Sequence, residues 1–445
     1  MKRKQVFALL TVLAMLVSML VGCGGTPEST GPLTSEQPGA SQENSASAES
    51  TGNNKEITVV HWQHHHEART PAVESIVKMF EEENKGIKVS FEAIPYDSYQ
   101  DKLNSSIASG VGPDTFQIYG LDAPQMIKNE RLMPVPESVM TASQIREDFL
   151  EWTVANGLSD GKYYGLPTDV QSVVLFINNK LYREAGFDPA APPKDWDEFL
   201  AQAKAGTKFG TDGKMVQAGM DTRYKWAYYT TFLYQATGGN LVDLANKKVR
   251  YDTAEGIRGW EMIKKILVDE KVDSAEFMTG QFKFELGKAM FYLNHPVTVG
   301  RIKQMAPDMD YTIAQVPGPA GTKPMTVGSN WLYTVNADSK QGEAAWKWVK
   351  YLASEKAQMT FIEQASDLPS MKSLLDRTDL FTDANGKAIK ESLKLVVPAQ
   401  EISSAEIDPI RDAIYTKIAL GQASVEAAVK DGAAEENAVM EKLTK

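Results

Sequence analysis

Between Ile57 and Tyr119 the chain alternates between two hydrophobic periods, and that alternation is what most restricts its fold. Ile57-Thr58-Val59-Val60-His61-Trp62 is a β-rich run of the kind that forms a buried strand. Thr70 and Pro71 stand in the N-cap and N1 order that starts a helix, and Val73, Ile76, Val77 and Phe80 keep helical spacing on one face. Gly86 supplies the stop, and Ile87, Val89 and Phe91 alternate as a second strand. A second helix is predicted from about Asp97, with Tyr99, Leu103 and Ile107 on one face and Gly110 at its end. Asp114 to Tyr119 reads as the third strand. Strands joined through helices by short loops must pair in parallel, which sets an α/β layer architecture.

The alternation returns further along. Val173–Ile177, Ala289–Leu293, Tyr311–Ala314 and Trp331–Val335 read as strands. Helices are predicted from Trp196, from Gly256 to Val268 and from Ala344 to Ala353, and over much of the last fifty residues. Trp196, Trp260, Trp346 and Trp348 fall on the apolar faces of these helices and are assigned to the core. The folded part exceeds the ~250–300 residues at which a single core stops growing, so two lobes are expected.

The lone cysteine, Cys23, allows no internal disulfide, so packing must hold the fold. Lys2, Arg3 and Lys4 precede an uncharged run from Val6 to Gly22, the layout of a secretory signal that is removed. Gly24 to Lys55 is Gly, Ser, Thr, Pro, Glu and Asn almost throughout, too polar to form a core and suited to a flexible tether of roughly 30 Å reach. Formal charge is −11 and becomes more negative once the basic leader is lost. Such a chain is a poor partner for nucleic acid or an anionic membrane surface, both of which select Lys and Arg patches. No G-x-x-x-x-G-K or G-x-G-x-x-G occurs, which leaves no glycine-rich motif for a phosphate-binding enzyme.

Several spaced segments together resemble one family. They are Ile57–Gln63, Phe80-Glu81 with Gly86–Val89, Tyr96–Lys102, Ala108–Gly110 with Gly112–Asp114, Gly165-Leu166-Pro167, and Phe176–Lys180 with Ala185–Phe187. Pro192–Phe199, Gly238-Gly239, Gly287–Met290 and Ala344–Lys347 complete the set. In this order they resemble the family 1 extracellular solute-binding proteins, the carbohydrate receptors of ABC importers, which share the maltose-binding-protein architecture. The resemblance implies a two-lobe α/β fold of the periplasmic-binding-protein type, with a ligand cleft between lobes and several hinge crossings. It implies one lobe from residues 56–166 and 317–353 and the other from 167–316 and 354–445, after a signal over 1–22 and a lipidated tether over 23–55. Leu20-Val21-Gly22-Cys23 resembles the bacterial lipoprotein signal, with Cys23 as the acylated first mature residue. The expected protein is a monomeric, membrane-anchored, extracytoplasmic receptor that binds a carbohydrate, an oligosaccharide in preference to a single sugar. It would deliver this ligand to an ABC permease, with no reaction catalysed and no cofactor.

Loops after the carboxyl ends of strands line the crevice in such layered proteins. That rule directs attention to Trp62-Gln63-His64-His65-His66-Glu67 and to Asn294-His295. Neutral imidazoles there suit sugar hydroxyls or a uronate carboxylate. They also suit helix capping or a solvent-facing role, and His64, His66 and Glu67 are chemically able to ligate zinc. A sugar's apolar face stacks on aromatic rings, which makes Trp62, Tyr119, Trp226, Tyr228, Tyr229 and Trp331 candidates. Asp122, Asp169, Gln171, Asn294, Asn330 and Asp367 are the candidate polar contacts. A hydrolase that pairs Glu67 with Asp169 is the enzymatic alternative.

Overall fold

A computed structural model describes residues 56–398 and 403–443. The expected signal, tether and lipidation at Cys23 lie outside the described residues. Strands β1 (Ile57–His64), β2 (Ile87–Ile94) and β3 (Thr115–Tyr119) pair in parallel, with β1 in the middle. Helix α1 (Arg69–Glu83) connects the first two and buries Ala72, Val73, Ile76 and Phe80. It begins one residue ahead of the predicted Thr70 cap, because the Thr70 amide already donates to the His66 carbonyl at 2.9 Å. Gly86 turns the chain at φ +93°, a left-handed conformation that costs a residue without Cβ little. Helix α2 (Tyr96–Ala108) covers the other sheet face with Tyr99, Leu103 and Ile107.

The parallel core is extended by antiparallel strands that the βαβ pattern does not announce. Thr326–Val335 runs antiparallel to β3, with Trp331 opposite Tyr119 and Val335 opposite Thr115. It also pairs antiparallel with Leu166–Ser172, and the sheet closes with Leu368–Pro369 and Val396–Pro398 to make seven strands. Helix Gly342–Leu352 packs Trp346 and Trp348 beneath this sheet, both fully buried. Helix Glu355–Ala365 lies against α1 and shares that core through Ala357 and Phe361. A lobe boundary at residue 353 therefore separates helices that pack together. Nor do residues 317–325 open the first lobe, since Gly318 accepts from the Trp196 amide and Met325 from the Gln235 side chain.

Five further strands form the second sheet. In spatial order these are Tyr311–Ala314, Val174–Asn178, Ala289–Asn294, Met215–Asp221 and Lys208–Phe209. Helix Lys225–Ala236 is buried on nearly every side, and Ala254–Lys264 places Trp260 against it. The carboxyl-terminal helices Ser404–Ala419 and Val425–Leu443 join the same core. They are pinned by a buried pair, Arg411 to Glu436 at 2.7 Å, with the Tyr251 hydroxyl donating to Glu436 at 2.9 Å. The chain passes between the sheets at Val173 and between Ala314 and Thr326, and leaves the first sheet for the carboxyl-terminal helices after Pro398. Among the described residues no helix is long and apolar enough to cross a membrane.

Candidate functional site

Strand alternation divides the histidine segment at once. His61 and Gln63 point into the core beneath the sheet. The His61 ring meets Phe91, Tyr333 and Trp348 at 5.4–5.8 Å and its Nδ1 lies 2.9 Å from Thr115 Oγ1. Gln63 Oε1 accepts from the Tyr333 hydroxyl at 2.9 Å, so Gln63 is a core hydrogen-bond partner and not a cleft residue. Trp62 points the other way but lies under α2, with Lys102 Nζ 4.4 Å from its ring centre. The strand's last residue, His64, is the one that reaches the sheet's edge. Its ring sits 4.4 Å from Trp331 and 5.4 Å from Tyr96, and Tyr119 stacks on Trp331 at 5.5 Å.

His64, Tyr96, Tyr119 and Trp331 make one aromatic wall at the ends of the strands. Burial, then the nearby Arg69 and His66, pushes the His64 imidazole down to about 3, so it stays neutral at any physiological pH. Tyr96 keeps 64% of its surface open while protein crowds it on several sides, as befits the wall of a concave space. Asp122 is half-buried in the turn Gly120–Asp122 that follows β3. A Cβ on Gly120 would come within 2.6 Å of Asn330 Oδ1, so the turn can lie this close only as glycine. Asn330 itself is committed to the fold, donating to the Thr153 carbonyl at 2.6 Å.

A second wall rises from the ends of Met215–Asp221 and Ala289–Asn294. His295 Nδ1 lies 3.1 Å from the Ser172 carbonyl, which can only accept, so Nδ1 carries the proton. Its Nε2 is thereby left to accept from the Tyr224 hydroxyl at 3.3 Å. Trp226 stands 5.7 Å from the same imidazole and 6.1 Å from Tyr224. Burial lowers His295 to about 4, and burial together with Tyr96 and Tyr292 raises the Tyr224 phenol. Asn294 spends its side chain on the Tyr292 hydroxyl at 2.6 Å and the His295 amide at 2.7 Å. The two walls lie near one another, since Tyr96, and Asp408 of the carboxyl-terminal helix, both act on the Tyr224 phenol and Asp408 acts on Tyr96 as well. Burial lifts Asp408 to about 6 against the opposing Arg411, and its Oδ1 is enclosed without a partner.

Other expected residues are placed elsewhere. Tyr228 and Tyr229 belong to the core, Tyr228 bonded to the Tyr415 hydroxyl at 2.5 Å and Tyr229 stacked on Trp260 at 6.0 Å. Asp367 accepts a two-pronged ion pair from Arg69, Nε at 2.7 Å and Nη2 at 3.0 Å, and a weaker bond from Gln171 at 3.4 Å. Asp367 and Gln171 thus tie α1 to the crossing strands. The backbone of Asp169 lies opposite Pro369 in the same sheet. His65 is exposed, and His66 Nδ1 accepts from the Ala68 amide at 3.3 Å in the turn before α1. Among the described residues no three His, Cys, Asp or Glu side chains converge on a metal position. Glu67 is lowered, first by its own backbone N–H, which is unsuitable for a general acid. A depression of about 460 Å³ bordered by Ile127, Lys128, Asp160 and Tyr164 shares no residue with either wall.

Sequence reading missed Tyr96, Tyr224 and Asp408. The first two carried a usable signal, each standing within three residues after a strand on the edge where crevices form. Asp408 carried none, because its helix, Ser404–Ala419, follows no strand–loop pattern that would place it at a crevice.

The sequence profile of bacterial extracellular solute-binding proteins matches residues 66–359. A putative binding protein of Brucella abortus is 28% identical over 387 residues, 84% of this chain and 90% of the relative. The galactooligosaccharide-binding protein of Bacillus subtilis is 24% identical over 413 residues, 87% of this chain and 90% of that one. Among solved structures, the GacH receptor of Streptomyces glaucescens superposes with a TM-score of 0.74 at 24% identity, over 87% of this chain and 98% of the receptor. An ABC substrate-binding protein of Listeria monocytogenes in complex with cycloalternan gives 0.75 at 22%, over 86% and 99%.

Proposed function

The chain belongs to the bacterial extracellular solute-binding protein family, and on that premise we propose that it captures a carbohydrate between its two sheets and delivers it to an ABC permease. The galactooligosaccharide receptor and the cycloalternan complex among its relatives support a saccharide of several units. One observation carries the reading: two aromatic walls, each holding a neutral histidine, lie near each other at the sheet edges, with Trp331 at 4.4 Å from His64 and Trp226 at 5.7 Å from His295. Flat rings take the apolar face of a sugar, while imidazoles and hydroxyls at their rims exchange hydrogen bonds with its hydroxyl groups. Binding would favour the closed arrangement of the lobes by as much as the ligand prefers it over the open one. In this proposal the first lobe is about residues 56–172 and 326–376 and the second is the remainder, with Cys23 as a lipid anchor and the segment to residue 55 as a tether on the extracytoplasmic face. Two acyl chains would hold such an anchor stably where one would not.

A thermal-shift screen of the purified protein against mono- and oligosaccharides tests this. Stabilisation by one glycan class is expected, about 2.7 kcal/mol at a hundredfold excess over Kd. No shift with any saccharide, alongside a shift with a non-carbohydrate solute, overturns it.

A further inference from the structure

Beside the second wall stands a cation that, among the described residues, has no carboxylate at contact distance. Arg223 follows the strand Met215–Asp221 and directly precedes Tyr224 and Trp226. It is half-buried, and its guanidinium lies 4.4 Å from the centre of Phe282 and 5.6 Å from that of Tyr292. Its Nη2 donates to the Tyr292 hydroxyl at 2.7 Å, the same oxygen that receives Asn294. Nε is enclosed and has no acceptor.

Neighbouring cations are all matched by a carboxylate at contact distance. Lys283 meets Asp273 at 2.5 Å, Arg301 meets Glu285 at 2.7 Å, and Arg69 meets Asp367 at 2.7 Å. The acid nearest Arg223 in sequence is Asp221, which feels the Arg223 charge without a contact ion pair, since its oxygens accept from the backbone amides of Arg223 at 2.9 Å and Phe284 at 3.3 Å. The charges acting on the Tyr292 phenol are Arg223, Asp221, Arg301 and Glu285. Those acting on Asp408 are Arg411, Asp412, Asp122 and Glu436. Arg223 and Arg301 share the Phe282 ring at 4.4 and 4.8 Å, and of the two only Arg301 has, among the described residues, a carboxylate at contact distance.

We propose that Arg223 receives a carboxylate of the ligand, so that the saccharide bound between the walls carries a uronic acid. The inference rests on the carbohydrate reading above and narrows it. A guanidinium held flat against two aromatic rings keeps its N–H groups fixed in one plane, and with Nε enclosed a planar carboxylate matches the end formed by the two Nη groups. A neutral sugar offers only single hydroxyl oxygens there and leaves a half-enclosed charge unmatched.

The test compares di- and trisaccharides of galacturonic and glucuronic acid with their neutral galactose and glucose counterparts, by calorimetric titration of the purified protein. The uronides are expected to bind about 10- to 100-fold more tightly, the range of a charge-assisted bond, and Arg223→Gln is expected to remove that preference. Arg223→Lys keeps the charge but loses the fork, and should retain only part of it. The unliganded melting temperature of each variant reports on folding, and the wild-type comparison needs no variant. Equal or weaker binding of the uronides, with neutral saccharides bound, overturns the role of Arg223 and leaves the carbohydrate reading intact. Preference for a sulfated saccharide over the uronide overturns the carboxylate assignment. If no saccharide binds, both readings fall.

Discussion

Three imidazoles sealed in the fold make its stability steeply dependent on pH between 7.5 and 5. His61 and His64 are lowered to about 3 and His295 to about 4, in each case mainly by burial. Their unfolded values lie near 6.5, so below that pH the unfolded chain binds protons that the native state refuses. A lowered histidine thus contributes its full stability above the unfolded value and loses it as the pH falls. At pH 5 each of the three loses about 1.36 × 1.5, or roughly 2 kcal/mol, whatever its folded value below 5. Half-buried His66, lowered to about 4, adds a smaller increment. Asp408, raised to about 6, works in the opposite sense and returns about 1 kcal/mol as it takes up its proton. The net loss is about 5–6 kcal/mol. Carboxylates held low by ion pairs, such as Asp310 and Asp379, leave this window clear because they protonate below it. Urea unfolding followed by tryptophan fluorescence at pH 7.5 and 5.0 measures the difference. His61→Phe, which fills the same aromatic pocket without a titrating group, should remove about 2 kcal/mol of the slope. Equal stability at the two pH values, or an unchanged slope in His61→Phe, would refute the reasoning.

Gly219→Ala should destabilise by more than 3 kcal/mol, as an overpacked site, since the new Cβ would meet the Ala203 carbonyl oxygen at 1.8 Å and backbone cannot move aside cheaply; chemical denaturation checks this. Glu436→Ala should cost about 3–5 kcal/mol by stranding Arg411 in the core, whereas replacing Arg411 and Glu436 together by Met and Leu should be nearly neutral. Comparison of their denaturation midpoints decides between a needed ion pair and one that merely fills space. Asp367→Ala should cost a similar amount by unpairing Arg69, and hydrogen exchange should quicken first at the start of α1.

The strand–helix–strand order of the first 60 folded residues was legible because each element has a strong period and an end signal, Gly86 and Gly110 among them. The antiparallel extension was hidden, because Thr326–Gly328 lacks the apolar run that marks Trp331–Val335 and long-range pairing leaves no local trace. Position relative to strand ends anticipated where His64, Tyr119, Trp226, His295 and Trp331 stand, since main-chain geometry fixes where such loops lie. It failed for Gln63, Tyr228 and Tyr229. Period-two alternation turns Gln63 away from His64, and the helix Lys225–Ala236 is packed on nearly all sides, so its tyrosines have no open face. Asp367 was misread for a different reason: its partner Arg69 lies 298 positions away, and no spacing rule joins them.

The central claim is that both walls grip one saccharide. Titration calorimetry of the best-binding glycan against wild type, Trp331→Ala and Trp226→Ala tests it most directly, with each variant's unliganded melting temperature as the control for folding. The expected result is one site per chain and at least about tenfold weaker binding in each variant, from the loss of about 1.4 kcal/mol or more of stacking. Wild-type affinity in either variant would contradict the account, because a ligand indifferent to one wall is not held between two.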